Sequence, residues 1–230
     1  MSESNANDQL RAIVVADGDV PPREQILSRL PGPDGGALVI AADGGALKAA
    51  ALGLNVNVVV GDGDSLAPSA LEALRAADVD VQLHPAEKDA SDTELAVREA
   101  LAWGATDILV LGALGGLRLE HTLANLLLLT LPELEGARVV LADGRSTVRV
   151  VTPGRPLALE AADGELVSLL PLSERVAGVS TAGLRYPLQG ATLEQGPSRG
   201  LSNELTGDAG SVSIEGGRLA VVQTLMAADR

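Results

Sequence analysis

The chain of 230 residues contains no cysteine and no phenylalanine, a single tyrosine, a single tryptophan and only two histidines. Without cysteine, disulfides, thiolate nucleophiles and cysteine-ligated zinc are excluded, and two histidines are too few for a histidine-rich metal site. Any metal must therefore be held by oxygen ligands. The scarcity of aromatic rings also leaves no set of platforms for stacking unpaired bases, which argues against an RNA-binding module.

Basic side chains are few, since 17 Lys and Arg face 31 Asp and Glu, and the formal net charge is −14. A protein of this charge repels a phosphate backbone, so the composition disfavours nucleic-acid binding. The polar, acidic start of the chain differs from a signal peptide, and the longest leucine-rich run, Leu123–Leu131, is too short to span a bilayer. We therefore expect a cytoplasmic protein without a membrane segment.

Short apolar runs alternate with helix-like stretches in the first part of the chain. The strand-like runs are Ile13–Ala16, Ala37–Ala41, Val56–Val60, Val79–Leu83, Ile108–Leu111 and Val139–Leu141. The helix-like stretches are Arg23–Leu30, Ala46–Leu52, Pro68–Ala77, Asp92–Trp103 and Glu120–Leu131. This alternation predicts an α/β N-terminal domain, residues 1–144, with a mostly parallel sheet flanked by helices.

The helical pattern stops after Gly144, and short β-type runs punctuated by glycine and proline follow. These runs are Thr147–Val151, Leu157–Leu159, Leu166–Leu170, Val176–Ser180, Leu184–Leu188, Ser211–Ile214 and Leu219–Val222. Their spacing predicts a C-terminal all-β sandwich domain, residues 145–230.

Acidic residues stand in the loops after four of the predicted strands. The loops are Ala42–Gly45 with Asp43, Gly61–Ser65 with Asp62 and Asp64, Glu87–Thr93 with Asp89 and Asp92, and Gly112–His121 with Glu120. Because the carboxyl ends of parallel strands share one edge, where ligands bind, these acids become neighbours. Like charges so close must share protons or hold a cation, and carboxylate oxygens suit Mg²⁺. A bound Mg²⁺ would admit a polyphosphate to an acidic cleft.

Familiar phosphate motifs are missing from the sequence. Lys48 follows Leu47 and Lys88 follows Glu87, so there is no Walker sequence, and a protein-kinase catalytic loop is also missing. Taken singly, Asp43-Gly44 is typical of a turn and Asp92 of a helix start. The convergence of four loops indicates the site, and phosphoryl or pyrophosphoryl transfer without a P-loop depends on metal ions and a few cations.

Six motifs in order along the chain resemble those of the thiamine pyrophosphokinase (thiamine diphosphokinase) family. They are Ala42-Asp43-Gly44-Gly45, Gly61-Asp62-Gly63-Asp64-Ser65, Lys88-Asp89-Ala90-Ser91-Asp92-Thr93, Arg118-Leu119-Glu120-His121, Gly183-Leu184-Arg185-Tyr186 and Ser202-Asn203-Glu204. The resemblance covers nearly the whole chain. It departs from the family pattern at Glu120, where Asp is usual, at Leu117, and at Gly63, where a larger apolar residue is common.

This resemblance implies transfer of pyrophosphate from ATP to the hydroxyl of thiamine, giving thiamine diphosphate and AMP. It implies a catalytic domain that binds nucleotide and Mg²⁺ (1–144), a thiamine-binding sandwich (145–230), ATP as co-substrate, and a homodimer with its active sites at the subunit interface. Two alternatives stay open: a pyrophosphokinase for another heterocyclic alcohol such as a pterin, and a non-catalytic protein that binds thiamine or nucleotide.

The resemblance also implies residue roles. The metal ligands would be Asp62, Asp64, Asp89 and Asp92, and the catalytic residues Asp62, Asp64, Asp92 and Arg118, the arginine neutralising charge on the transferring group. The nucleotide would contact Asp43, Gly44, Gly45, Lys88, Thr93, Gly115, Gly116 and His121. Thiamine would contact Tyr186, Ser202, Asn203 and Asp89, with a thiamine ring stacked on Tyr186.

Overall fold

The computed structural model describes residues 10–27, 36–160 and 165–226. The chain divides into two compact units, Met1–Gly144 and Arg145–Arg230. Within the described ranges, none of the helices is long and apolar enough to cross a membrane.

Among the residues that the structure describes, six parallel strands form the sheet of the first unit. They are β1 (Arg11–Val15), β2 (Leu38–Ala42), β3 (Val58–Gly61), β4 (Asp80–Leu83), β5 (Asp107–Leu111) and β6 (Arg138–Ala142). Their hydrogen-bonded order is β6-β5-β1-β2-β3-β4. Strands β1 to β3 are buried along nearly their whole length, which is typical of parallel strands covered on both faces. The predicted parallel sheet is confirmed.

In the described part of the unit, five helices connect these strands, together with a short 3₁₀ helix at Pro132–Leu134. They are α1 (Arg23–Leu27), α2 (Gly45–Ala51), α3 (Pro68–Ala76), α4 (Asp92–Ala102) and α5 (Leu119–Leu128). The hydroxyl of Ser91 caps α4 by accepting a hydrogen bond from the Glu94 N–H at 3.2 Å. Helix α5 stops at Leu128 rather than at the predicted Leu131, and α2, α3 and α4 each end one residue before their predicted ends. Residues 28–30 of the first predicted helix lie outside the described ones.

The order of the strands places a topological switch point beside β1. Strand β2 pairs with one edge of β1 and β5 with the other, so the chain leaves β1 and β5 toward opposite sides. The loops that follow these two strands contact each other, since the Gly18 N–H donates to the Gly112 carbonyl at 2.9 Å. In open parallel sheets, ligands bind at the carboxyl ends of the strands near such a point.

Two antiparallel sheets form the second unit. The strands are β7 (Ser146–Val151), β8 (Leu157–Glu160), β9 (Leu166–Pro171), β10 (Arg175–Ala182), β11 (Ala191–Glu194), β12 (Asn203–Glu204), β13 (Ala209–Ser213) and β14 (Leu219–Thr224). One sheet has the order β12-β9-β14-β7 and the other β11-β10-β13-β8. Buried side chains from both, among them Leu169 and Leu219 of the first and Leu159 and Val179 of the second, share one core. The predicted all-β sandwich is therefore confirmed.

The predicted strand at Leu184–Leu188 is wrong. Leu184 forms an isolated bridge with Leu205, and the flanking Gly183 and Arg185 each share one backbone hydrogen bond with the same segment, but no strand forms over residues 184–188. Gly183 turns the chain at a φ of +70°, and a Cβ there would lie 2.3 Å from the Ala209 carbonyl oxygen, so only glycine fits. Pro187 then lacks the N–H that a continuing strand requires. The short strands β11 and β12 were not predicted.

Candidate active site

Three of the predicted acids meet at the carboxyl edge of the parallel sheet. Asp43 follows β2, Asp62 follows β3, and Asp92 opens α4. One carboxylate oxygen from each lies within 4.8 Å of those of the other two. This group, the carboxylate trio, unites an acid assigned to nucleotide binding from the sequence with two assigned to metal binding.

Asp43 is the buried member of the trio, with 4% of its surface exposed. Its backbone is left-handed, with a φ of +46°. Its Oδ2 accepts a hydrogen bond from the Ser65 N–H at 3.2 Å, whereas its buried Oδ1 has no hydrogen-bond partner in the described part of the chain. A buried carboxylate oxygen without a donor is costly unless a cation approaches it. The three carboxylates therefore fit an oxygen-preferring cation such as Mg²⁺.

Lys88 lies against the other two acids. Its Nζ is 3.0 Å from Oδ1 of Asp92 and 3.5 Å from Oδ2 of Asp62. Burial alone would lower the pKa of Lys88, but the two carboxylates raise it above its ordinary value. The N–H of Asp64 and then the charge of Lys88 lower the pKa of Asp62. Lys88 therefore stays protonated and Asp62 ionised.

Asp64 and Asp89, predicted as metal ligands, are not members of the trio among the described residues. The Ser65 hydroxyl donates to Oδ1 of Asp64 at 3.1 Å. That bond lowers the pKa of Asp64, but repulsion from Asp62 and Asp43 outweighs it and the pKa lies above its ordinary value. The side chain of Asp89 is exposed.

Three side chains, one from the loop after β1 and two from α5, hold the glycine-rich loop after β5. Oδ2 of Asp19 accepts the Gly116 N–H at 3.0 Å, and Oγ1 of Thr122 accepts the Gly115 N–H at 3.2 Å. The side-chain amide of Asn125 donates to the Ala113 carbonyl at 3.0 Å. These bonds fix the loop before any ligand is present.

Sequence reasoning missed the loop after β1. Lys48 donates from Nζ to the carbonyl oxygens of Asp17 and Gly18 and lies 3.3 Å from Oδ1 of Asp17. Asp19, in the same loop, binds Gly116. The signal was present, because Asp17-Gly18-Asp19 follows a buried strand in the same way as the other acidic loops do.

Close packing accounts for one of the two glycines at the start of α2. A Cβ on Gly45 would lie 2.0 Å from the Val15 carbonyl oxygen, so this position needs glycine with or without a nucleotide. A Cβ on Gly44 would lie 2.7 Å from Cγ of Asp17, a half-exposed side chain that can move aside. Thr93, in the first turn of α4, is buried.

Arg118 and Glu120 form an exposed pair at the start of α5. Nε of Arg118 donates to Oε1 of Glu120 at 2.7 Å, and both side chains are more than half exposed. The hydrogen bond from Arg118 lowers the pKa of Glu120. Glu120 thus engages the predicted catalytic arginine directly. His121, the next residue, is exposed.

The predicted thiamine residues of the second unit adjoin one another. Tyr186 has 64% of its surface exposed, whereas Asn203 is buried. The Asn203 side-chain amide binds the backbone of Tyr186 on both sides, at 3.0 Å and 2.8 Å. Ser202 is left-handed, with a φ of +57°, and its N–H donates to the Ser168 hydroxyl at 3.1 Å.

Carboxylates along the strand ends of an α/β unit, without a P-loop, suit a metal-dependent transferase of phosphoryl or pyrophosphoryl groups. Two family models match: "Thiamin pyrophosphokinase, catalytic domain" over residues 34–141 and "Thiamin pyrophosphokinase, vitamin B1 binding domain" over residues 157–219. The chain belongs to the thiamin pyrophosphokinase family. The predicted resemblance and the prediction of an enzyme are confirmed.

Known relatives agree with the family models. The thiamine pyrophosphokinase of Bacillus subtilis is 27% identical over 164 residues, covering 71% of this chain and 76% of the relative. Its crystal structure matches with a TM-score of 0.80 and 25% identity, covering 94% of this chain and 100% of that one. The thiamin pyrophosphokinase of Geobacillus thermodenitrificans gives a TM-score of 0.78 at 29% identity, covering 95% and 99%.

Proposed function

We propose that this protein transfers the pyrophosphoryl group of ATP to the hydroxyl oxygen of thiamine, giving thiamine diphosphate and AMP. Membership of the family supports pyrophosphoryl transfer to thiamine. The observation that carries the proposal for the donor is the carboxylate trio of Asp43, Asp62 and Asp92, with the bare buried oxygen of Asp43. A cluster of this kind suits a metal-complexed polyphosphate.

Asp43, Asp62 and Asp92 would hold Mg²⁺, with Asp64 and Asp89 as further predicted ligands. Bound Mg²⁺ supplies charge neutralisation on the phosphate oxygens. Lys88 adds a fixed positive charge beside Asp62 and Asp92.

In the proposed reaction, the thiamine hydroxyl oxygen bonds to the β-phosphorus as the bond from that phosphorus to the oxygen retained by AMP breaks. The hydroxyl proton is released. Arg118 neutralises charge on the group in transit. The nucleotide lies against Asp43, Gly44, Gly45, Lys88, Thr93, Gly115, Gly116 and His121. Thiamine lies against Tyr186, Ser202 and Asp89, beside Asn203, which holds the backbone of Tyr186.

A homodimer with active sites at the subunit interface is part of the proposal. Its support is the outer face of α5, where Leu119, Leu123 and Leu127 recur at helical spacing and each is more than half exposed. Such an apolar stripe is unfavourable in water. Sedimentation of the wild type should give a dimer, which Leu123→Glu weakens if α5 contributes.

A cytoplasmic location stays a prediction, which cell fractionation checks.

Release of AMP from ATP, Mg²⁺ and thiamine tests the function, with a control that lacks thiamine. Formation of AMP only when thiamine is present supports the proposal. Formation of AMP with a pterin alcohol but not with thiamine would mean that the acceptor is a pterin alcohol and would contradict the proposed substrate. Calorimetric binding of ATP or thiamine without AMP at any Mg²⁺ concentration would instead indicate a binding protein.

A further inference from the structure

One buried side chain in the second unit binds both polar backbone groups of one exposed residue. Oδ1 of Asn203 accepts the Tyr186 N–H at 3.0 Å, and Nδ2 of Asn203 donates to the Tyr186 carbonyl at 2.8 Å. Asn203 is 8% exposed and Tyr186 is 64% exposed. The buried carboxamide therefore holds the backbone of a residue whose ring is exposed to solvent.

The carboxamide has little bonding capacity left for a ligand. Its Oδ1 also accepts the N–H of Glu204 at 3.0 Å, so both oxygen lone pairs are used. One hydrogen of Nδ2 is used by the Tyr186 carbonyl. A residue bonded in this way acts on a substrate mainly through the group that it holds.

The two hydrogen bonds of Asn203 to Tyr186, the clamp, continue a short antiparallel pairing of residues 183–185 with residues 204–206. The Thr206 N–H donates to the Gly183 carbonyl at 2.8 Å, and Leu184 forms a bridge with Leu205. The Arg185 N–H donates to the Glu204 carbonyl at 2.9 Å, and the two side chains form an ion pair at 2.7 Å. At the next position, Tyr186 faces Asn203, and the Asn203 side chain replaces the backbone as the partner. The pairing therefore extends to the residue whose ring is exposed.

We infer that Asn203 is a positioning residue for thiamine: its carboxamide fixes the backbone of Tyr186 and so directs the exposed ring, rather than contacting the substrate. The identity of the substrate rests on the proposed function, whereas the clamp does not. A ring fixed before binding loses less conformational freedom when a ligand stacks on it.

Asparagine suits the binding of one backbone N–H and one backbone carbonyl because its carboxamide carries an acceptor and a donor on the same carbon atom. An aspartate has the same shape but places an acceptor oxygen against the Tyr186 carbonyl, so Asn203→Asp keeps one bond and turns the other into repulsion. Asn203→Ala removes both bonds. The chain has a single tyrosine, so protein labelled with ¹⁵N-tyrosine gives one amide signal, that of Tyr186.

Hydrogen exchange of that amide tests the clamp without any substrate. In the wild type, we expect the Tyr186 N–H to exchange at least about tenfold more slowly than an open loop amide. Asn203→Asp and Asn203→Ala should remove this protection. Ser173→Ala, which removes a comparable side-chain acceptor for the Arg218 N–H at 2.9 Å in the same unit, should leave it unchanged. Exchange of the wild-type amide at the rate of an open loop overturns the inference, even if both Asn203 variants fail to fold.

A double-mutant cycle tests the link to thiamine. We expect Asn203→Ala to raise the thiamine KM about tenfold with little change in kcat, and to change it by less than about twofold in the Tyr186→Ala background. Effects that multiply fully would mean that Asn203 touches the substrate and would overturn the inference. If the wild-type protein releases no AMP in response to thiamine, the proposed function is refuted. The clamp is not, because hydrogen exchange tests it without any substrate.

Discussion

The candidate residues of the two units are held by different kinds of interaction. In the first unit, the carboxylate trio lies around one ammonium group, and a buried oxygen of Asp43 has no donor. In the second unit, a neutral carboxamide completes the backbone bonds of Tyr186. The negative charge of the trio is neutralised only when a further cation binds, whereas the hydrogen bonds between Asn203 and Tyr186 need no ligand. Activity should therefore depend on metal through the first unit and on preformed shape through the second.

The largest effect is expected from Asp43→Asn. It removes one carboxylate of the trio while keeping a residue that tolerates the positive φ of this position. We expect thiamine-dependent AMP release to fall at least about a hundredfold, or about 2.7 kcal/mol on the barrier, with no loss of metal-free thermal stability. Asp78→Asn, at an exposed aspartate that also has a positive φ of 58°, is the matched control and should be silent. Normal turnover of Asp43→Asn would remove this residue from the site.

The second-largest effect is expected from Tyr186→Ala, in the second unit. We expect Tyr186→Ala to raise the thiamine KM about twentyfold and to change the ATP KM less than twofold, since a stacking surface is lost. Tyr186→Phe keeps the ring and should stay near the wild type. Steady-state kinetics with each substrate varied in turn checks this. Equal changes in both constants would mean that the ring has only a structural role.

Lys88→Met should reveal the electrostatic repulsion between the carboxylates of the trio. The lysine is 15% exposed and pairs with Asp62 and Asp92, so its removal leaves two partly buried charges unpaired. We expect the metal-free unfolding free energy of the first unit to fall by about 1–2 kcal/mol, and Mg²⁺ to restore most of it. Fluorescence of the single tryptophan, Trp103, follows this unit.

Arg98→Met is the control for that measurement. Arg98, on the same helix α4, pairs with Glu94 at 2.7 Å and with Glu133 at 3.2 Å, and its side chain is 41% exposed against 15% for Lys88. Its loss should cost less than about 0.5 kcal/mol and should not respond to Mg²⁺. Equal losses in both variants would contradict the view that the trio needs a cation.

The smallest effect is expected from Lys48→Met, which frees the carbonyls of Asp17 and Gly18. The loop after β1 loses its anchor, and the first unit should lose about 1 kcal/mol of stability. Because Asp19 of this loop binds Gly116, the ATP KM should rise about threefold while the thiamine KM stays constant. Denaturant unfolding and kinetics measure the two effects. A change confined to the thiamine KM would contradict the predicted nucleotide role of the glycine-rich loop.

Much of the first unit could be predicted from the sequence, because buried parallel strands are continuous apolar runs. Parallel order also brings Asp43, Asp62 and Asp92 to one edge, as expected from the positions of their loops. The same rule applied to β1 would have added Asp17 and Asp19. That the metal-binding and nucleotide-binding acids share one cluster depends on distances of a few ångströms, which spacing does not give.

The second unit was harder to predict in detail. The β-type run Leu184–Leu188 resembles a strand, but a left-handed glycine precedes it and a proline lies within it, so its pairing stays limited to one bridge and the flanking hydrogen bonds. The two-residue strand β12 has no periodicity to detect. Asn203 was assigned to thiamine by resemblance, and its bonds to Tyr186 arise from a tertiary approach of residues 183–186 to β12 that no local pattern records.

The chain has only two lysines, Lys48 and Lys88, and both lie at the carboxyl edge of the first sheet. Reagents or enzymes that acylate lysine side chains therefore have no other side-chain target. Lys48 is 30% exposed and Lys88 is 15% exposed, so Lys48 should react first and Lys88 once the ion pairs open. Because the α-amino group is acylated as well, the modified lysines are identified on their peptides: acylation at Lys48 would report the anchored loop, and acylation at Lys88 the carboxylate trio. Chemical acylation thus becomes a footprint of the candidate active site rather than of the surface at large.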